Sequence, residues 1–264
     1  MTRTIRPLVL DEVATLLQWA ADEGWNPGLE DAPAFFAADP QGFLGAFVEG
    51  EFVAGISAVT YGTDFGFIGL YICHPSHRGR GHGRAVWDAG MARLGGRAIG
   101  LDGVPAQRAN YRSMGFEPAY DTIRMTGRAS DLGAVATRVG AVEQIADIDR
   151  RGFPAPRTAF LSEWIRPPRL VRMLDGGYGA VRRCVTDRKI GPLFAPDTET
   201  ALRLLGALST ETVSIDVPVA RTAFLASLAQ AGFTESFSTT RMVLGGVPGP
   251  APENVFGITS LELG

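Results

Sequence analysis

The sequence predicts a mixed α/β protein, an α+β mixed sheet with helices, present as two tandem copies of which the second is degenerate. Three observations carry this. Apolar runs at strand spacing alternate with amphipathic runs at helix spacing along residues 1–127. The stretch "GFEPAYDTIRM" (115–125) returns as "GFTESFSTTRM" (232–242), each reading Gly-Phe, three residues, an aromatic, one residue, Thr, one residue, Arg-Met. Upstream, "IGLDGVPA" (99–106) matches "VSIDVPVA" (213–220), both apolar strands that end in Asp and then Pro. Two separated blocks matching in the same order point to duplication.

The elements follow in order. Residues 3–9 form a short first strand. Asp11 caps a helix whose apolar stripe is Val13, Leu16, Leu17 and Ala20, at helical spacing. "EGWNPG" (23–28) stops that helix, because Asn-Pro-Gly forces a turn. "AFFAAD" (34–39) is a second short helix. "FLGAFVE", "FVAGISAVT" and "FGFIGLYIC" are three strands parted by the turns "GE" and "YGTD". A glycine-rich loop and its helix (83–94) come next, then the strand "RAIGLDGV", the short helix "QRANYRSM" and the strand "AYDTIRMTG". The first copy therefore spans residues 1–130 and the second 138–264. The small, polar "RASDLGAVATR" (128–138) links them.

A chain of 264 residues, 45% hydrophobic and 20% charged, has room for two domains with proper cores. Its net charge of -3 argues against a large nucleic-acid footprint. The N-terminal stretch lacks the unbroken apolar core of a signal peptide, and no run is long enough to span a membrane. Cys73 and Cys184 have no partner at metal-ligand spacing apart from the adjacent His74, which suits reduced thiols in a cytoplasmic protein.

The segment "HRGRGHGRAVW" (77–87) is the most informative stretch. Gly79, Gly81 and Gly83 alternate with Arg80 and His82, and Arg78 and Arg84 flank them, between a strand and a helix. Helix N-termini carry unpaired N–H groups and partial positive charge, and glycines let an anion approach the main chain. These features predict a diphosphate cradle. A P-loop lysine is missing, since the chain's only lysine is Lys189, and the glycine spacing does not fit a dinucleotide fingerprint after a first strand. The corresponding stretch of the second copy, "KIGPLFAPDTETALRLL" (189–205), has lost the glycines. It places Asp197 and Glu199 at its helix start, where they favour capping and repel phosphate.

"RGRGHG" (78–83) resembles the Arg/Gln-x-x-Gly-x-Gly/Ala motif of GNAT-type N-acetyltransferases, and "ANYRSMGF" (109–116) is similar to that family's second motif, a Tyr shortly before Gly-Phe. The element order of residues 1–127 fits as well. The resemblance implies a GNAT fold that uses acetyl-CoA. The main chain from Arg78 through Gly79, Arg80, Gly81, His82 and Gly83 to Arg84 would hold the diphosphate, and that of Ile72 and Cys73 the pantetheine arm. Tyr111 matches the tyrosine that protonates the departing thiolate. Asn110 would contact pantetheine or ribose, or cap a helix. Asp64, at the start of the fourth strand, and His74, at its end, are the base candidates, with an ordinary turn residue as the other reading of Asp64 and a polar loop residue as that of His74. Trp25 and Asn26 would lie over the acceptor. The segment 153–168 would either close the acceptor pocket or be core. His77 and His82 read as loop-surface residues, so no metal is expected.

The activity implied is direct transfer of an acetyl group to a small-molecule primary amine, without an acyl-enzyme; Cys73 reads as structural. The protein is expected to be a monomer or homodimer with no nucleic-acid or membrane partner. A protein lysine or N-terminal acetyltransferase is the enzymatic alternative, and a non-catalytic CoA-binding regulator is the alternative of another class.

Overall fold

The computed structural model describes residues 2–132, 136–246 and 249–264. Of the linker expected at 128–138, residues 133–135 lie outside the described ones. Strand β1 (Arg3–Pro7) pairs antiparallel with β2 (Phe43–Val48), β2 with β3 (Glu51–Tyr61), and β3 with β4 (Phe65–Cys73). Strand β5 (Ala98–Gly103) runs parallel to β4. Between these strands lie α1 (Leu10–Asp22), α2 (Asp31–Ala38) and α3 (His82–Leu94), and α4 (Arg108–Ser113) leads into β6 (Glu117–Arg128).

The stripe Val13, Leu16, Leu17 and Ala20 of α1 is buried. Its N-cap position is Val9, and Glu12 supplies the cap by accepting the Val9 N–H at 2.9 Å. Asp11 is therefore not the cap but a first-turn residue, where its charge still suits the helix dipole. Every residue of β2 is buried. Helix α3 covers one face of the sheet, and α1, α2 and the second half cover the other, so β2 needs apolar side chains in both directions.

The second half repeats this order without the first strand: α5 (Val142–Asp149), α6 (Thr158–Trp164), β7 (Leu170–Leu174), β8 (Gly177–Arg183), β9 (Arg188–Phe194), α7 (Thr198–Leu208), β10 (Thr212–Pro218), α8 (Thr222–Gln230) and β11 (Thr234–Leu244). A short strand, β12 (Val255–Gly257), follows. Among the described residues twelve strands form one sheet, in the order β1-β2-β3-β4-β5-β11-β6-β10-β9-β8-β7, with β12 on β9.

This order means that the halves exchange their last strands. β11 of the second half pairs with β5 of the first, and β6 of the first pairs with β10 of the second. The two exchanged strands also pair with each other at the centre. The segment 153–168 is core between the halves: Phe153, Phe160 and Trp164 are buried, and Trp164 stacks on Phe35 of α2 at 6.2 Å between ring centroids. Arg157 and Asp149 form a fully buried ion pair beside them, at 2.8 Å.

The two copies differ where their central parallel strands part. β4 and β5 pair from Phe65 and Ala98 to Ile68 and Leu101, then separate. β9 and β10 pair from Arg188 and Val213 to Ile190 and Ile215, then separate likewise. In the second copy β12 fills the gap. It pairs with Leu193 and Phe194 of β9, and the adjoining Ile258 N–H donates to Asp216 O on β10 at 3.0 Å. No helix of the described residues is long and apolar enough to cross a membrane.

Candidate functional site

The gap between β4 and β5 opens into a cavity of about 730 Å³. Its near wall is β4 from Ile68 to Cys73, and Leu70 sits there at φ 45°, in the left-handed region. A leucine in that conformation inside a strand is a strained bulge, and the β3–β4 register shifts at the same place, between Gly55 and Ser57. Beyond Ile68 β4 no longer pairs with β5, and Tyr71, Ile72 and Cys73 line the cavity.

At the end of β4 the chain enters a 3-10 turn (Pro75–His77) and the glycine loop. Gly79 and Gly81 have φ of 75° and 76°, and a Cβ built on either meets no atom within 4 Å. Gly81 is the N-cap of α3. Among the described residues, hydrogen bonds run from His77 N to His74 O, from Arg78 N to Pro75 O and from Ala85 N to Gly81 O. The amides of Gly79, Arg80, Gly81 and His82 donate to none, and the Gly83 N–H is directed at the Cys73 sulfur. The result is an open nest of N–H groups at a helix N-terminus, which suits a diphosphate.

The arginine side chains do less than the sequence suggests. Arg78 is held by Glu23 and by the Cys73 carbonyl, the latter at 3.0 Å. Arg84 pairs with Asp88 along α3, at 2.7 Å. Arg3, which the sequence did not single out, donates to the Gly81 carbonyl at 3.2 Å. Any anion the loop receives would thus be held mainly by its main chain.

Tyr111 lines the cavity from α4, stacked on Trp87 at 5.8 Å and edge-on to Phe116 at 6.2 Å. Burial pushes its phenol up to about 12, and the neighbouring Tyr71 acts the same way. The hydroxyl therefore carries its proton at neutral pH. Burial also raises the Cys73 thiol, against the smaller opposing effects of the Gly83 N–H and Arg78. Asn110 lies next to Tyr111 but is exposed, and its side chain donates to Gln107 at 3.2 Å.

Asp64 is not in the cavity. It sits in the exposed β3–β4 turn, accepting from the Thr63 hydroxyl at 2.9 Å. The nine residues of β4 separate it from Cys73 by about 30 Å at strand spacing. The geometry makes it a turn residue and removes it as a base candidate. His74 is likewise absent from the lining and bonds Ser76 at 2.8 Å.

The far wall belongs mostly to the second copy, and sequence reasoning missed it. Trp25 and Asn26 do reach the cavity, but the second copy holds them there. The Asn26 amide donates to Asp187 at 2.8 Å and accepts the Thr186 N–H at 3.1 Å, while the Trp25 carbonyl accepts from buried Lys189 at 3.0 Å. Asp187 also accepts from Ser214, which bonds Thr126 at 2.9 Å. Leu261 and Glu262 of the C-terminal tail complete the wall. That tail lies against β4 so closely that a Cβ on Gly69 would stand 2.1 Å from the Glu262 carbonyl oxygen. No sequence signal marks this contact, because Ser57, which donates to the same carbonyl, is 205 positions away. In the second copy, Asp197 caps α7 by accepting the Thr200 N–H at 2.8 Å.

A family model described as "Acetyltransferase (GNAT) family" matches residues 10–116, and a second, "Acetyltransferase (GNAT) domain", matches residues 145–257. The chain is 32% identical to a protein named holothin acyltransferase from Pseudoalteromonas sp. (strain SANK 73390), over all of this chain and 95% of that one. A putative acetyltransferase from Pyrococcus horikoshii shares the fold with a TM-score of 0.83 at 22% identity, over 99% of this chain and 96% of that one. A tandem GNAT protein from the clavulanic acid biosynthesis pathway does so at 0.62 and 14% identity, over 92% and 98%.

Proposed function

The chain belongs to the GNAT acetyltransferase family, as a tandem of two such domains, and is an acyltransferase; from that premise we propose that it moves an acetyl group from acetyl-CoA directly to the primary amine of a small molecule. The copies run over residues 1–130 and 138–264, and the first carries the chemistry. The observation that supports this division is the contrast between the two strand gaps: the first opens into the cavity, and the second is filled by β12.

The residues present fit acetyl-CoA. The open amides of Gly79 to His82 at the start of α3 would hold its diphosphate, and the main chain of Ile72 and Cys73 would line its pantetheine arm. When bound, the thioester supplies an activated acyl group. Main-chain amides beside the Leu70 bulge would be placed to stabilise negative charge developing on the thioester carbonyl, which would lower the barrier to attack. Tyr111, protonated and on the cavity wall, would give a proton to the leaving thiolate. A half-buried Cys73 with a raised thiol is a poor nucleophile, which favours transfer without an acyl-enzyme.

A small acceptor follows from the wall that the second copy builds. Asn26, Asp187, Ser214 and the C-terminal tail bound the space opposite β4, where a protein substrate would need an open groove. The test is acetyl-CoA binding by calorimetry, then thiol release with a panel of amines in which holothin, the compound in the relative's name, is included. Binding and turnover of at least one small amine are expected. Absence of acetyl-CoA binding would remove the proposal, and turnover of peptide amines alone would replace the small acceptor with a protein one.

A further inference from the structure

We infer that Glu262, on the C-terminal tail of the second copy, receives the acceptor's ammonium group and takes its proton. This rests on the acyl-transfer reading above and adds the group that reading lacks, since Asp64 is outside the cavity.

Four carboxylates line the cavity: Glu23, Asp102, Asp187 and Glu262. Three are already engaged. Glu23 is held by Arg78. Both oxygens of Asp102 accept from Arg241, at 2.8 and 2.9 Å. Both oxygens of Asp187 are taken, by Asn26 and by Ser214, each at 2.8 Å. Glu262 is only 5% exposed, and its Oε2 is buried with no hydrogen-bond partner. A buried carboxylate oxygen left without a donor is costly. An ammonium brought against this side chain from the cavity it lines would supply that donor.

The surrounding cations do not serve instead. Arg124, Arg182 and Lys189 lie within electrostatic reach of Glu262. Arg124 is bound to Asp216, Arg182 faces Asp31 at 3.2 Å, and Lys189 donates to the Trp25 carbonyl. The tail is also firmly placed. Thr259 accepts from Arg157 at 2.7 Å and from Arg182 at 3.2 Å, and the Leu263 carbonyl accepts from Tyr61 at 3.0 Å. Glu262 is thus a positioned group of the cavity wall, its main chain resting on β4 at Gly69.

In the step proposed, the ammonium loses one proton to the Glu262 carboxylate. The freed nitrogen lone pair forms the C–N bond to the thioester carbonyl carbon, and the C–S electron pair leaves on sulfur. Sulfur takes the proton of Tyr111, and the second proton shed by nitrogen restores the phenol. The proton on Glu262 passes to solvent. One ammonium and one thioester become one amide, one thiol and one released proton.

The experiment compares Glu262→Gln, Glu262→Asp and the unaltered protein on two sets of amines: aliphatic ones, cationic at neutral pH, and aromatic ones, already neutral there. For aliphatic amines Glu262→Gln should lower kcat/KM by about 10²–10⁴-fold, the usual worth of a positioned base. Glu262→Asp should recover part of it, aromatic amines should lose far less, and acetyl-CoA affinity should not change. An equal loss on both sets, or no loss on aliphatic amines, overturns the inference and leaves the acyl-transfer reading standing. An unaltered protein that turns over only neutral amines overturns it too. One that turns over no amine overturns both.

Discussion

Arg124 and Asp216 are direct register partners on β6 and β10, and their side chains close a two-pronged ion pair at 2.7 and 2.9 Å. Arg241 and Asp102 repeat that relationship on β11 and β5, at 2.8 and 2.9 Å. Each pair takes its arginine from one copy and its aspartate from the other. These four residues are the Arg of "TIRM" and "TTRM" and the Asp of "GLDG" and "SIDV", the positions by which the repeat is recognised. The residues the copies retain in common are therefore those that hold the exchanged strands, whereas the glycine loop is present in only one copy.

Removing one member of such a pair should cost more than removing both. Arg124→Met leaves a buried Asp216 carboxylate unpaired and should destabilise by about 3–5 kcal/mol, whereas Arg124→Met with Asp216→Leu should recover most of that loss. Burial alone would raise the Asp216 carboxyl, but Arg124, with smaller help from Lys189 and Arg182, more than offsets it and leaves it below its ordinary value. A carboxyl lowered on folding contributes stability that is complete above the unfolded value, about 3.9, and is lost as pH falls below it. The double variant should accordingly lose less stability than the unaltered protein on acidification through about pH 4. Urea midpoints across pH measure both effects; a double variant as unstable as the single one would show that the pair is not the seam.

The order of elements within each copy was legible because periodicity, turns and caps are local. The exchange was not. β5 and β10 carry the same apolar pattern and the same Asp, and β6 and β11 the same Arg-Met, so either partner satisfies the ladder equally well in sequence terms. The loop and Tyr111 were legible because glycines at positive φ and a tyrosine before Gly-Phe are short-range features. Asp64 was placed at the start of the fourth strand, where it stands, but the sequence does not say that the cavity opens along the other end of that strand. Asp187, Ser214 and Glu262 were missed because they reach the cavity only through the packing of one copy on the other.

Tyr111→Phe keeps the stacking on Trp87 and removes only the hydroxyl. Turnover should fall by about 10²–10⁴-fold with acetyl-CoA affinity nearly intact. Steady-state kinetics with a calorimetric binding measurement separate the two, and a fully active variant would end the acid assignment.

Gly81→Asp places a side chain at φ 76° and a carboxylate at the mouth of the amide nest. Acetyl-CoA affinity should be lost while the rest of the fold persists. Asp197→Ala, at the equivalent helix start of the second copy, should cost about 1 kcal/mol of stability through the lost cap and leave that affinity unchanged. Binding by both variants, measured beside their melting curves, decides which half holds the cofactor; an unaffected Gly81→Asp would move the site elsewhere.

Gly69→Ala tests the tail without altering any polar group. The new methyl would stand 2.1 Å from the Glu262 carbonyl oxygen, far inside contact distance, so β4 and the tail must part. The main-chain nest and Tyr111 lie on other segments and should keep their geometry. Acetyl-CoA affinity should fall only by the share that β4 contributes through Ile72 and Cys73, while turnover of aliphatic amines at saturating acetyl-CoA falls as it does for Glu262→Gln, because the carboxylate has been carried off the wall. If turnover instead stayed whole in a variant whose melting temperature showed the strain, the tail would be a structural strap, and deprotonation of the acceptor would have to be assigned to water.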